Sequence, residues 1–123
     1  CLLCSSLSWV YKMLNIEKKN LFNELLTLYG DVLTENQYNN MVAYYSDDYS
    51  LSEIAENNSV SRNAVSLSLK QAENELTRLE DKIHLLKFLK GLKEKLNGIK
   101  DNEKDEHNLS LIESILKEIE DGI

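Results

Sequence analysis

The residues best placed to do chemistry lie between Leu51 and Lys70, LSEIAENNSVSRNAVSLSLK, and the chemistry they suit is recognition rather than bond-breaking. Ser61, Arg62, Asn63, Ser66 and Lys70 would occupy the opening turns of a helix, where side chains reach base edges and unpaired amides face phosphate. An arginine can grip guanine through two hydrogen bonds and an asparagine can grip adenine likewise, each worth ~1–3 kcal/mol of discrimination. Lys87, Lys90 and Lys93, spaced three apart in the basic stretch Lys82 to Lys95, form a second candidate set for RNA or a protein partner. The plainer reading of those lysines is a solvated face laced with Glu80, Asp81 and Glu94.

No catalytic constellation accompanies them. His84 and His107 are isolated, Asp47-Asp48 sit in a turn ahead of a helix cap, and neither a nucleophile-base-orienter set nor a glycine-rich phosphate loop occurs. Cys1 and Cys4 make a lone C-x-x-C, whereas a structural zinc needs about four ligands in paired spacing. The chain therefore reads as a non-enzyme with no metal and no cofactor.

The elements that must position these residues are all helical. The chain has 123 residues, 42% of them hydrophobic, with four glycines and no proline, which suits one domain without dense turns. Leu21, Phe22, Leu25, Leu26 and Tyr29 recur at helical spacing, and Gly30 stops the run. Thr34 with Gln37, and Ser50 with Glu53, are capping-box pairs that open a second helix carrying Met41, Val42 and Tyr45 and a short third one carrying Leu51, Ile54 and Ala55. Tyr44, Tyr45 and Tyr49 cluster near the exit of helix two as core packing with rim hydroxyls. Ser61 caps a fourth helix that nothing breaks before a bend expected at Lys87 to Gly91.

Between helices three and four the pattern is a helix-turn-helix. Small Ala55 stands at the crossing, and Ile54, Val60, Val65 and Leu69 form the apolar wedge. A positive φ in the turn is expected at Asn57 or Asn58. Leu69, Ala72, Leu76, Leu79, Ile83 and Leu86 then make a heptad-like stripe that calls for a partner helix and is assigned to a homodimer. A shifted series, Leu85, Leu89, Leu92, Leu96 and Ile99, follows it. Residues 100–108 read as a polar linker, and Leu109, Ile112, Ile115, Leu116 and Ile119 as a last amphipathic helix that docks back. The expected organisation is an upstream extension at 1–12, a helix-turn-helix domain with its long helix at 13–99, and an acidic linker and helix at 100–123.

Charge limits the partners. The formal net charge is −7, with the acidity concentrated after residue 97. Within residues 45–72 Asp47, Asp48, Glu53 and Glu56 outweigh Arg62 and Lys70, so phosphate contact must be local. No run approaches the ~18 apolar residues of a membrane span.

Leu33-Thr34 with Gln37, DDYSLSEIAE from Asp47 to Glu56, VSRNAV from Val60 to Val65 and the leucine-rich long helix resemble the YlxM family of small bacterial helix-turn-helix proteins, over about Met13 to Phe88. The helix-turn-helix alone also resembles region four of bacterial sigma factors. The resemblance implies an all-α fold: a sigma region four-like, winged helix-like helix-turn-helix, then a long helix and a C-terminal amphipathic helix. It further implies a double-stranded DNA-binding surface, a cytoplasmic location and a regulatory role in the signal recognition particle pathway, whose components would be partners. Departures from the family pattern are Ser59 in place of the turn glycine, Asn63 in place of a longer amide, and Ser66-Leu67-Ser68 in place of bulkier polar residues.

Overall fold

A computed structural model describes residues 2–122 of the chain, with side chains described from residue 14 onward. Six α-helices follow in order: α1 (Leu2–Tyr29), α2 (Glu35–Met41), α3 (Leu51–Asn58), α4 (Arg62–Ile83), α5 (Leu85–Asn102) and α6 (Glu106–Asp121). The fold is all-α, and no strand occurs among the described residues, so the helix-turn-helix carries no wing there. Residues 2–12 continue α1 without a break; their side chains, including the Cys4 thiol, and all of Cys1 lie outside the described residues.

Local chemistry explains the element starts. Thr34 and Gln37 form the full capping box, the Gln37 amide N–H donating to the Thr34 hydroxyl and the Thr34 N–H to the Gln37 side chain, both at 3.2 Å. At α3 only the hydroxyl half forms, with the Glu53 N–H donating to Ser50 Oγ. Ser61 caps α4 by accepting from the Ala64 N–H. Gly30 ends α1 and lies close under a neighbouring ring: a Cβ there would meet Tyr38 Cε2 at 2.8 Å, so the Tyr38 side chain would have to shift. After Met41 the expected α-helical face becomes a π-helical turn, Val42–Ser46, and the Asn23 side chain donates to the Tyr45 carbonyl within it.

The core gathers Phe22, Leu25, Leu26 and Tyr29 of α1, Met41 of α2, Ile54 and Ala55 of α3, and Val65, Leu69, Ala72 and Leu76 of α4. This placement corrects the dimer assignment. In the stripe of Leu69, Ala72, Leu76, Leu79, Ile83 and Leu86, four members are buried, Leu79 packs partly buried against the core, and Ile83 is exposed. The partner helices that the stripe calls for are α1 and α2 of the same chain, so the face is already covered. Val60 likewise leaves the wedge and is 48% exposed, because the chain reverses at Ser59 just before it.

The bend expected at Lys87 to Gly91 falls instead at His84, which takes a left-handed φ of 57° between α4 and α5. The cause is a side-chain cap from the preceding helix. Glu80 reaches past the corner and accepts from the Leu86 and Lys87 N–H groups at 3.2 and 3.0 Å, satisfying the orphan donors at the start of α5. The Tyr29 hydroxyl donates to the same carboxylate at 2.7 Å and accepts from the Leu85 N–H at 3.3 Å. Gly91 and Gly98 simply continue α5. The linker is shorter than its composition suggests, confined to residues 103–105, and α6 docks on α5 through Ile112, Leu116 and Ile119.

Candidate nucleic-acid interface

The turn between α3 and α4 sets the aim of the second helix. The positive φ expected at Asn57 or Asn58 sits instead on Ser59, at 56°, the residue that stands in place of the expected turn glycine. Both asparagines instead close α3, and Asn58 turns its amide inward to donate to Asn40 Oδ1 at 3.1 Å. Asn40, almost wholly buried, donates in turn to Ser68 Oγ at 3.1 Å, and Asn36 reaches the same oxygen at 3.5 Å. A chain of polar contacts thus ties α2, α3 and α4 together inside an otherwise apolar crossing, with Ser68 at its centre.

With Val65, Ser68, Leu69 and Ala72 turned inward, the opposite side of α4 is left to solvent. Arg62, Asn63, Ser66 and Lys70 are all exposed and fall within an arc of about 100° on an ideal helix. Ser61 is exposed as well, although its hydroxyl already accepts the capping bond from Ala64. Arrayed this way, the four side chains offer an arginine fork, an amide, a hydroxyl and an ammonium along one helix edge, a set suited to base edges and phosphate.

Sequence reasoning missed three neighbours of this edge. Leu67 is 58% exposed and flanks the arc, an apolar group of the kind that meets a thymine methyl. Asn74 continues the edge one turn beyond Lys70. Lys18 arrives from α1 and lines, with Ser66, Lys70 and Tyr44, a cleft of about 260 Å³. Leu67 falls outside the heptad stripe, which was a local clue; Lys18 carried none, because only the α1–α4 packing brings it there.

The local charge is balanced rather than basic. Lys18 lies 3.9 Å from Glu73, and Lys19 pairs with Asp48. Glu73 also accepts from the Tyr45 hydroxyl. Burial, followed by that carboxylate, pushes the Tyr45 phenol well above its ordinary range, so it stays a neutral donor. Tyr44 meets Tyr45 edge-on at 4.9 Å with its own ring partly exposed.

The second candidate set, Lys87, Lys90 and Lys93, does not form one free basic face. Lys90 pairs with Glu24 of α1 at 2.8 Å and Lys93 with Glu120 of α6 at 3.0 Å, while Lys87 stays exposed on another side of α5. Helix docking takes up two of the three: Lys90 and Lys93 each meet an acid from a neighbouring helix. Among the residues with described side chains, no cluster of three or more His, Cys, Asp or Glu could hold a metal, and no described helix is long and apolar enough to cross a membrane.

The sequence has relatives among known proteins. The model of a family described as "Putative helix-turn-helix protein, YlxM / p13 like" matches residues 16–119. The chain is similar to the UPF0122 protein YlxM of Bacillus subtilis (strain 168), at 38% identity over 108 residues that cover 85% of this chain and 98% of that protein. It is 37% identical over 111 residues to a UPF0122 protein of Clostridium acetobutylicum, covering 85% and 96% of the two chains. A UPF0122 protein of Malacoplasma penetrans is 45% identical over 78 residues, 63% of this chain and 73% of that one. The match reaches well past Phe88, where the motifs gave out, and takes in the α5–α6 hairpin. The chain belongs to the YlxM / p13-like helix-turn-helix family.

Proposed function

We propose that this protein is a DNA-binding regulator of the bacterial cytoplasm, an accessory factor of the signal recognition particle pathway, and that it reads duplex DNA with the leading turns of α4. The observation that supports this reading is the single exposed edge formed by Arg62, Asn63, Ser66 and Lys70 on a helix whose other side is fixed in the core. Its action is binding, not catalysis. Docking on RNA or protein through Lys87, Lys90 and Lys93 is less well supported, since Lys90 and Lys93 already have acidic neighbours within the chain.

The charge balance makes a quantitative demand. Ordinary DNA affinity draws on ~6–10 phosphate contacts, and one copy brings Arg62, Lys70 and Lys18 to this side, Lys18 beside Glu73. A single copy binds weakly and with a shallow salt dependence; two copies on neighbouring half-sites reach the required number. The test is fluorescence anisotropy with duplex DNA and structured RNA side by side across salt concentrations. Selective duplex binding that falls at least tenfold in Arg62→Ala is expected. Equal affinity of wild type and Arg62→Ala, or a preference for RNA, overturns the reading.

A further inference from the structure

We infer that the α5–α6 hairpin is a self-complementary surface on which a second copy of this chain docks, forming a four-helix bundle. This inference stands apart from the DNA reading, because it rests on a different face of the molecule.

The two ion pairs that join the hairpin define its sides. Lys93–Glu120 at 3.0 Å and Lys100–Glu113 at 3.6 Å run along one edge of the antiparallel pair. At about 100° per residue, Phe88, Lys95 and Ile99 stand on the far side of α5 from those lysines, and Leu111, Ile115 and Glu118 on the far side of α6 from those glutamates. The far sides therefore coincide. Phe88 is 65% exposed, Ile99 55%, Leu111 52% and Ile115 41%, which puts four large apolar side chains on one open face.

That face also has a receptacle. Between His84 and Lys95 lies a cleft of about 390 Å³ lined by Phe88, Gly91 and Leu92. A Cβ added to Gly91 would meet nothing within 4 Å, so a side chain from outside can seat against the bare backbone there.

Charge selects the occupant. On this face α5 contributes the exposed Lys87 and Lys95, and α6 contributes the exposed Glu118. A two-fold axis sets α5 of one copy against α6 of the other, so Lys95 of each copy meets Glu118 of its partner, and the patch matches itself as an isologous interface must. A helix of 18 residues gives a face about 27 Å long and, across two helices, about 20 Å wide. The pair of copies then buries on the order of 1,000 Å², near the lower limit for a specific dimer, so the association is a weak, concentration-dependent one.

Sedimentation equilibrium of the full chain between 1 and 200 µM tests this. Wild type is expected to pass from monomer to dimer across that range, and Ile99→Glu to weaken association at least tenfold with its helical circular dichroism unchanged. Lys95→Glu and Glu118→Lys are each expected to self-associate more weakly than wild type, while their equimolar mixture restores dimer, because each heterodimer contact then joins opposite charges. A wild type that stays monomeric at 200 µM overturns the inference and leaves the face to another protein. Unaltered association in Ile99→Glu, or a mixture no tighter than its parents, overturns it equally.

Discussion

The helix-turn-helix half of the molecule and its α5–α6 hairpin are both amphipathic helices with polar ties, yet they are held to very different degrees. In the first, α1 to α4 converge on shared residues: Met41, Ala72 and Leu76 have no measurable exposure, and Leu25, Ile54 and Val65 almost none. Buried amide contacts add direction to that packing. In the second, α6 rests on α5 through Ile112, Leu116 and Ile119, which lie outside the main cluster, and through ion pairs that water reaches. A region with few buried contacts opens locally at low free energy, whereas a multiply packed one opens only with the whole domain. The part of α4 proposed to read DNA is thus mounted on the rigid half, and the proposed dimer face on the soft one.

The largest effect expected from this contrast is at Leu76→Ala. Deleting a fully enclosed leucine costs ~3–5 kcal/mol by urea denaturation and lowers the protection of α1 and α4 together. A loss below ~1.5 kcal/mol breaks the contrast. Leu116→Ala is expected to cost ~2–3 kcal/mol, but confined to the hairpin: hydrogen exchange quickens along α6 while α4 amides keep their protection. If α4 loosens equally, the two regions are one cooperative unit.

Tyr29→Phe probes the joint between them. Losing the hydroxyl that donates to Glu80 and accepts from Leu85 costs ~1–2 kcal/mol and quickens exchange at the start of α5. The joint also has a definite pH response. Burial pulls the Glu80 carboxyl upward, but bonds from Tyr29 and from the Lys87 and Leu86 N–H groups, with His84 nearby, hold it below its ordinary value. A depressed carboxyl stabilises the fold fully above its unfolded value of ~4.3 and loses that contribution as pH falls through the folded one. Tyr29 runs the opposite way: burial first, then the Glu80 contact, raises it, so its contribution is intact below ~10 and is lost at higher pH. Exchange at Leu86 and Lys87 should quicken at both extremes; acid-insensitive protection there would refute the capping role of Glu80.

The smallest effect is salt. The pairs of Lys93 with Glu120 and Lys100 with Glu113 are exposed and together worth less than ~1 kcal/mol, so raising NaCl from 0.1 to 1 M shifts hairpin protection slightly and α4 protection not at all. A large hairpin response would mean that charge, rather than Ile112, Leu116 and Ile119, holds it.

What was legible in the sequence follows the same division. Caps at Thr34, Ser50 and Ser61, and the exposed edge of α4, depend on neighbours within a few residues, and their signals were local. The stripe from Leu69 to Leu86 announced that it needed a partner but not which one, since periodicity records burial and is silent on whether the cover comes from the same chain. The corner at His84 escaped because its cause, Glu80 turning back on amides six and seven residues ahead with Tyr29 behind it, has no pattern shorter than the tertiary fold. Ser59 shows a local rule giving way: asparagine tolerates a left-handed φ better than serine does, yet Asn58 is held by Asn40, and the strain moves one residue on.

The hydrogen bonds at Ser68 work like a key in a slot. An apolar seam would let α4 roll about its own axis with little change in contact, but a roll of even a few tens of degrees carries that hydroxyl out of reach of Asn40. Arg62 and Asn63 ride on the same rod about one and a half turns earlier, so their bearing is set from inside the molecule, and the outward letters of α4 are free to be rewritten without altering the angle at which they are presented.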